Sequence, residues 1–332
     1  MIVGTFQKEK GVSELNEPAQ IALVGAGRIG RLHMRAIQAS PELELAGVVE
    51  PSEDARAAIA APDLVLVPEI EQLFERGRPD AIVVAVPTVH HKEVVSRLIE
   101  VGVPILCEKP GGLDSGDVHA IAQQADEAGV ALQVGYWRRF VPALRALRSR
   151  ILEGGMGEVS MLSAIQWDGE PPHAAFRDVA SSGGIAIDMG VHEFDMLRWL
   201  TGQEIEEITG YCSTVNWAPP VEGDPETANF VARMSGGATA IVSLARRHPP
   251  GDVCRLEVLG GDDSDALTFI EPGESDEMMI AALRAQAEGL AAVARGTESA
   301  GASIGDAEAA LIAAEEAMRV IVPSAPTVEV GR

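Results

Sequence analysis

Five short apolar runs punctuate residues 20–140: Ile21–Val24, Leu45–Val49, Ala81–Val86, Pro104–Cys107 and Ala131–Val134. They are nearly continuous rather than alternating, the pattern of strands covered on both faces. Between them Arg28–Ala39, Ser52–Ala60, His90–Glu100 and Leu113–Ala128 read as helices, the last stopped by Gly129. Strand alternating with helix predicts an α/β unit built on a parallel, doubly wound sheet.

Beyond a bridging helix over Pro142–Glu153, ended by Gly154 and Gly155, the pattern changes. Segments Glu158–Gln166, Ile205–Val215, Thr227–Met234, Ala238–Arg246 and Val253–Leu259 follow, with little helix among the last three. Joints at Gly236-Gly237 and Pro249-Pro250-Gly251 predict mostly antiparallel pairing in an α+β unit, with one helix, Ile187–Leu200, set among the strands. Helices at Asp276–Ala294 and Asp306–Val320 close the chain. Met279, Leu283, Leu290 and Val293 share a face of the first, and Pro323 stops the second. Residues 1–19 lack periodicity and read as a tail. The expected organisation is therefore a tail over 1–19, a first domain over 20–140 and a second over 141–332, without internal repeats.

Composition narrows the function classes. The length of 332 residues suits two domains, and 46% hydrophobic residues can fill two cores. Against 50 Asp+Glu stand 26 Lys+Arg, a formal net charge of −24 that repels phosphate backbones and anionic lipids, so neither nucleic acid nor membrane is an expected partner. No apolar run approaches the ~20 residues of a membrane helix, and the first residues show no basic stretch followed by an apolar one, so a soluble cytoplasmic protein is expected. Cys107, Cys212 and Cys254 are odd in number and widely spaced, which predicts free thiols and no zinc knuckle.

Gly25-Ala26-Gly27-Arg28-Ile29-Gly30 follows the first predicted strand and opens the first helix. In that context Gly25 permits the tight turn, Gly27 lets the backbone approach a pyrophosphate and Gly30 lets helix and strand pack closely. The helix N-terminus offers N–H groups to phosphate. Glu50 ends the second strand, where a carboxylate accepts from both adenosine ribose hydroxyls and repels a 2′-phosphate. The expected cofactor is NAD rather than NADP. By itself a glycine turn beside an exposed strand-end acid is only turn chemistry; the ordered set of strand, turn, helix, strand and acid is what points to a dinucleotide.

Two further strand ends point to the same edge, because open parallel sheets bind ligands at the carboxyl ends of their strands. One runs Val86-Pro87-Thr88-Val89-His90-His91, the other Cys107-Glu108-Lys109-Pro110. Pro110 restricts the backbone of Lys109, which would hold its ammonium beside a nicotinamide; an ordinary surface pair of Glu108 and Lys109 is the plainer alternative. In the second unit Asp188, His192 and Asp195 stand at i, i+4 and i+7, on one face of a helix. A histidine beside an aspartate can have its tautomer fixed and its basicity raised, as proton abstraction from an alcohol requires, with a rate that rises as the imidazole loses its proton. The alternative is a helix-capping aspartate with a satisfied interfacial histidine. No metal is expected, since no further ligand set accompanies the trio.

These segments resemble the glucose-fructose oxidoreductase, inositol dehydrogenase and MocA family of NAD(P)-dependent oxidoreductases over roughly residues 19–332. The resemblance rests on Gly25-Ala-Gly-Arg-Ile-Gly-Arg-Leu-His33, Pro87-Thr88 with His91, Glu108-Lys109-Pro110, Gly135-Tyr-Trp-Arg-Arg-Phe140, and Gly183-Gly184 through Asp188 and His192 to Asp195. It implies a Rossmann domain followed by an α+β domain whose open, mostly antiparallel sheet mediates homodimers or homotetramers. It implies Lys109, Asp188 and His192 as the catalytic trio: His192 takes the hydroxyl proton, Asp188 orients and polarises it, and Lys109 holds the reacting oxygen while hydride passes to the nicotinamide. Pro87, Thr88, His91, Glu108 and Lys109 join the glycine turn and Glu50 as cofactor contacts. The substrate set is Lys109, Trp137, Arg139, His173, Asp188 and His192, with Arg177 nearby.

Within the family, the Gly27-Arg-Ile-Gly30 opening through His33 and the run from Ser182-Gly183-Gly184 through Asp188 and His192 to Asp195 look most like the inositol 2-dehydrogenase branch. A ring at Trp137, where many relatives carry a small amide, either narrows the pocket or packs at the domain junction. The stretch between Leu259 and Asp276 is shorter than in many relatives, which bears on the far wall of the pocket. The leading expectation is oxidation of a secondary hydroxyl of a cyclic polyol or sugar. The alternatives are an NAD-dependent glycoside-cleaving enzyme using transient oxidation and a non-catalytic dinucleotide-sensing regulator.

Overall fold

The computed structural model describes residues 17–172, 177–215, 223–273 and 276–323. In the first lobe β1 (Ala19–Val24), α1 (Arg28–Gln38), β2 (Leu43–Val49), α2 (Glu53–Ile59), β3 (Leu66–Val67), α3 (Ile70–Phe74), β4 (Ala81–Val84), α4 (His91–Ile99), β5 (Ile105–Cys107), α5 (Ser115–Ala128) and β6 (Leu132–Val134) alternate. The bridge α6 (Pro142–Leu152) and then β7 (Val159–Trp167), α7 (Val179–Ser182), a π-turn over Ala186–Gly190, α8 (Val191–Thr201), β8 (Ile205–Ser213), β9 (Thr227–Met234), β10 (Thr239–Ala245), β11 (Val253–Gly260) and β12 (Ser264–Ile270) build the second. The chain ends with α9 (Glu277–Ala294), β13 (Ala302–Ser303), α10 (Ile304–Val320) and β14 (Ile321–Pro323).

The first sheet has the order β13-β6-β5-β4-β1-β2-β3 and is parallel apart from β13. Ile21, Leu23, Ile82, Val83, Ile105 and Leu106 are wholly buried, which is why these strands read as unbroken apolar runs. The order reverses between β1 and β4, and that switch point opens a crevice at the strand carboxyl ends.

The second sheet, β12-β11-β7-β10-β9-β8-β14, is mostly antiparallel, with parallel pairs at β7–β10 and β8–β14. Its strands alternate buried and open positions: Ala228, Phe230, Ala232 and Met234 of β9 face the core, while Val231 is half exposed on the other side. Tyr211, Val231, Ile241 and Leu259 stand exposed on strands β8 to β11 of this sheet.

Two features depart from the expected organisation. The stretch after Leu259 forms an edge strand, β12, paired with β11. Second, the chain returns to the first lobe: Ala287, Leu290 and Ala291 of α9 share a core cluster with Ile21, Leu23 and Met34, and β13 adds to β6. A cut at 140/141 therefore divides the sequence more cleanly than the space. Among the described residues no helix is long and apolar enough to cross a membrane.

Candidate active site

A cleft of about 710 Å³ lies along the switch point, lined by the first-lobe strand ends and by Asp188 of the second lobe. Its floor is the glycine turn. Gly25 has φ +97, and a Cβ there would lie 2.5 Å from the Ala85 carbonyl oxygen; one at Gly30 would lie 2.1 Å from that of Gly25. Only glycine lets α1 start this close to β4. Above Gly27 the space is open, and α1 begins there with no side-chain cap, leaving its first N–H groups toward the cleft.

Gly25, Gly27, Arg28, Ile29, Glu50, Pro87, Thr88, Glu108 and Lys109 all line the cleft. Gly30 sits beneath the turn as a packing residue. His91 lies buried below, its Nε2 3.0 Å from the Val86 carbonyl oxygen, and burial pushes its pKa down to about 4. The Glu50 carboxylate accepts from the backbone N–H groups of Ala26 and Ser52, each at 2.9 Å, which ties the acid to the glycine turn. Arg56 donates to the carbonyl oxygens of Glu50 (2.5 Å) and Pro51 (2.8 Å). Glu108 is also held, with its Oε1 2.7 Å from Nε2 of the buried His33 and its Oε2 accepting from the Lys109 backbone N–H at 3.2 Å.

The two lobes meet at Lys109 and Asp188. Lys109 Nζ donates to the Asp188 backbone oxygen at 2.6 Å and to its Oδ1 at 3.1 Å. Arg246 donates to Asp188 Oδ2 from the other side. Burial would raise the Asp188 pKa, but Lys109 and Arg246 overcome it and hold the carboxyl at about 2. His192 follows one turn later in α8, buried, with its ring 6.0 Å from and nearly perpendicular to that of Tyr136.

One sequence expectation is corrected here. Both Asp188 carboxylate oxygens are engaged by cations, and His192 Nδ1 is buried with no hydrogen-bond partner among the described residues, so Asp188 does not fix or polarise the imidazole. Burial first, then the charges of Arg138 and Lys109, push the His192 pKa well below its ordinary value rather than above it. The His192 imidazole is thus kept neutral and is not strengthened by an aspartate.

The site geometry can be set beside known proteins. A family described as an oxidoreductase family with an NAD-binding Rossmann fold matches residues 19–136, and one described as the GFO/IDH/MocA C-terminal domain matches 144–264. The chain belongs to the GFO/IDH/MocA oxidoreductase family. It is 39% identical over 302 residues to the rhizopine catabolism protein MocA of Rhizobium meliloti, spanning 91% of this chain and 95% of that one. It is 33% identical over 242 residues to an inositol 2-dehydrogenase of Rhizobium meliloti strain 1021, 73% of each chain. The solved myo-inositol dehydrogenase of Corynebacterium glutamicum superposes with a TM-score of 0.81 at 28% identity, covering 93% of this chain and all (100%) of that one.

Among the described candidates, Trp137, Arg139 and His192 are not part of the cleft lining. Trp137 is buried in the core, with the Arg138 guanidinium 5.8 Å from its ring centroid, so it packs at the lobe junction. Arg139 directs Nε (3.0 Å) and Nη2 (2.5 Å) at Asp195 and Nη1 (3.2 Å) at Asp306, a buried ion pair joining the segment after β6 to α8 and α10. Asp195, third of the helical stripe, is thereby a frame residue. His173 lies outside the described residues. Two residues that the motifs did not suggest stand at the site: Arg246, almost wholly buried at the end of β10, and Asp224, which accepts from its Nη2 at 2.9 Å. Arg246 looks in sequence like half of a surface Arg-Arg pair before a turn; an arginine closing an otherwise apolar strand was the available signal.

Proposed function

We propose that the chain is an NAD-dependent dehydrogenase that oxidises one secondary hydroxyl of a cyclic polyol or sugar, inositol-like rings first. The observation that carries this reading is the Lys109–Asp188 pair, in which an ammonium from one lobe and a carboxylate from the other line the same cleft as the glycine turn. The open space over Gly27 and the uncapped start of α1 fit a pyrophosphate, and Glu50, at the β2 end of the cleft, fits the ribose of NAD better than a 2′-phosphate. When bound, NAD supplies the hydride acceptor at its nicotinamide C4.

The protein's part is to hold and move the proton. Lys109, fixed by two bonds to Asp188, donates to the reacting oxygen and stabilises the negative charge that grows on it. His192 takes the hydroxyl proton; with Nδ1 sealed, Nε2 is the nitrogen that meets substrate, and its neutral state requires no prior deprotonation near pH 7. The carbon loses a hydride and the oxygen a proton, leaving a ketone. Arg139 and Trp137 are assigned to the frame, and His173 remains a candidate substrate contact. The exposed face of the second sheet, with Tyr211, Val231 and Ile241, is the surface we assign to homodimer or homotetramer contacts. The relatives named as inositol dehydrogenases support the polyol class; no observation favours the glycoside-cleaving or sensor readings.

The test is NADH formation, followed by its absorbance, across a panel of inositols, aldoses and glycosides. Stoichiometric NADH from a cyclic polyol is expected. Glycoside cleavage without net NADH, or NAD binding with no turnover on any ring, would contradict the proposal.

A further inference from the structure

Among the described residues Arg246 is the largest side chain to be fully buried, and it is spent on two carboxylates: Nη1 on Asp188 Oδ2, Nη2 and Nε on Asp224 Oδ1 at 2.9 and 3.3 Å. Asp224 is sealed from solvent, and its second oxygen has no hydrogen-bond partner among the described residues. Burying an arginine and a carboxylate together is costly and stabilises little in itself, because each loses its hydration. The arrangement instead divides charge along a line, Lys109–Asp188–Arg246–Asp224, with each inner group shared by two neighbours.

Sharing has a chemical consequence. A carboxylate paired with Lys109 alone would bind its proton tightly and pull the ammonium off the reacting oxygen; one already half-neutralised by Arg246 grips it less. Asp224 in turn draws part of the guanidinium charge away and fixes where Arg246 points. We propose that Arg246, anchored by Asp224, is a positioning residue that sets how strongly Asp188 holds Lys109, leaving the ammonium available to substrate oxygen. Burial, with a smaller push from Asp188, raises the Asp224 carboxyl pKa, and Arg246 and then Arg177 offset this only in part. The inference rests on the dehydrogenase reading for the importance of Lys109, but its test does not.

The test is acetylation of Lys109 by acetic anhydride, read by peptide mass spectrometry without substrate or cofactor. The chain has four lysines, Lys8, Lys10, Lys92 and Lys109, so Lys92 serves as an internal reference. Replacing both charges together, Arg246→Met with Asp224→Asn, leaves no orphaned buried ion and keeps the fold. It gives Asp188 entirely to Lys109, and the Lys109:Lys92 labelling ratio falls about tenfold. The isosteric Asp224→Asn alone gives Arg246 entirely to Asp188, and the ratio rises about threefold. Opposite signs separate charge sharing from a loosened frame, which would expose Lys109 and raise the ratio in both variants. A rise in both, or no change in Asp224→Asn with an unaltered melting temperature, overturns the inference. Absence of NADH from every polyol would overturn the dehydrogenase reading and leave these labelling outcomes to decide Arg246.

Discussion

Lys109 and Asp188 are joined twice across the lobe junction, through the aspartate's backbone oxygen at 2.6 Å and its Oδ1 at 3.1 Å. The first bond ties the ammonium to the π-turn backbone, the second to the carboxylate that Arg246 also engages. That joint ties the end of β5 in the first lobe to the π-turn that leads into α8.

His192 is neutral in the folded protein, because burial and two nearby cations oppose its protonation. Its group contributes no acid limb to kcat/KM between about pH 6 and 9, unlike an unperturbed histidine near 6.5. His192→Ala lowers kcat by about 100-fold or more, as loss of a positioned base does, while NAD binding persists. A limb near pH 6.5 that vanishes in His192→Gln would show that the imidazole titrates there and count against the sealed, depressed base.

Glu50 holds the Ala26 and Ser52 N–H groups and lines the cleft at the end of β2. Glu50→Ala weakens NAD by about tenfold and narrows the preference over NADP, since a carboxylate that accepted hydrogen bonds and repelled phosphate is gone. Titration of both dinucleotides by fluorescence quenching measures it. Unchanged or tighter NAD binding would remove the ribose role.

Buried His91 gives a stability test. Its folded pKa of about 4 lies below the unfolded value near 6.5, so only the unfolded chain takes up the proton between those values. The resulting loss of stability is absent above pH 6.5, grows as pH falls toward 4 and levels off below it, reaching about 3 kcal/mol. Urea unfolding at pH 7 and pH 5 compares the parent with His91→Gln, whose loss over that interval is smaller. Equal losses would place the titration elsewhere.

Gly30 tests the turn. A Cβ there meets the Gly25 carbonyl oxygen at 2.1 Å, so Gly30→Ala must displace the loop or α1. The cost is about 1–3 kcal/mol, and NAD affinity falls with it. A stable Gly30→Ala that binds NAD normally would contradict the close approach.

The first sheet was legible because its strands are covered on both faces, and the glycine turn because its residues are adjacent in sequence. β12 was not, although Gly260-Gly261-Asp262-Asp263 is a hairpin signal: on an open edge its side chains are mostly uncovered, so the apolar run that marks a buried strand is absent. β3 and β13 are two residues each, too short for any periodicity. At the site, Lys109 and Asp188 were marked by their motifs, but Arg246 lies 58 residues from Asp188 and meets it only through sheet pairing. The same motif reading assigned Asp188 to its helical neighbour His192. Spacing reports a shared face, and the stronger fields of Lys109 and Arg246 decide where the carboxylate turns.

The most direct test of the whole account uses one sample of parent protein and one of Lys109→Met, each saturated with NAD as judged by fluorescence and then given myo-inositol. The parent is expected to form NADH and the variant, binding NAD equally well, to form it at least ~100-fold more slowly. Equal rates of NADH formation in the two would contradict the claim that the ammonium held by Asp188 serves the reacting oxygen.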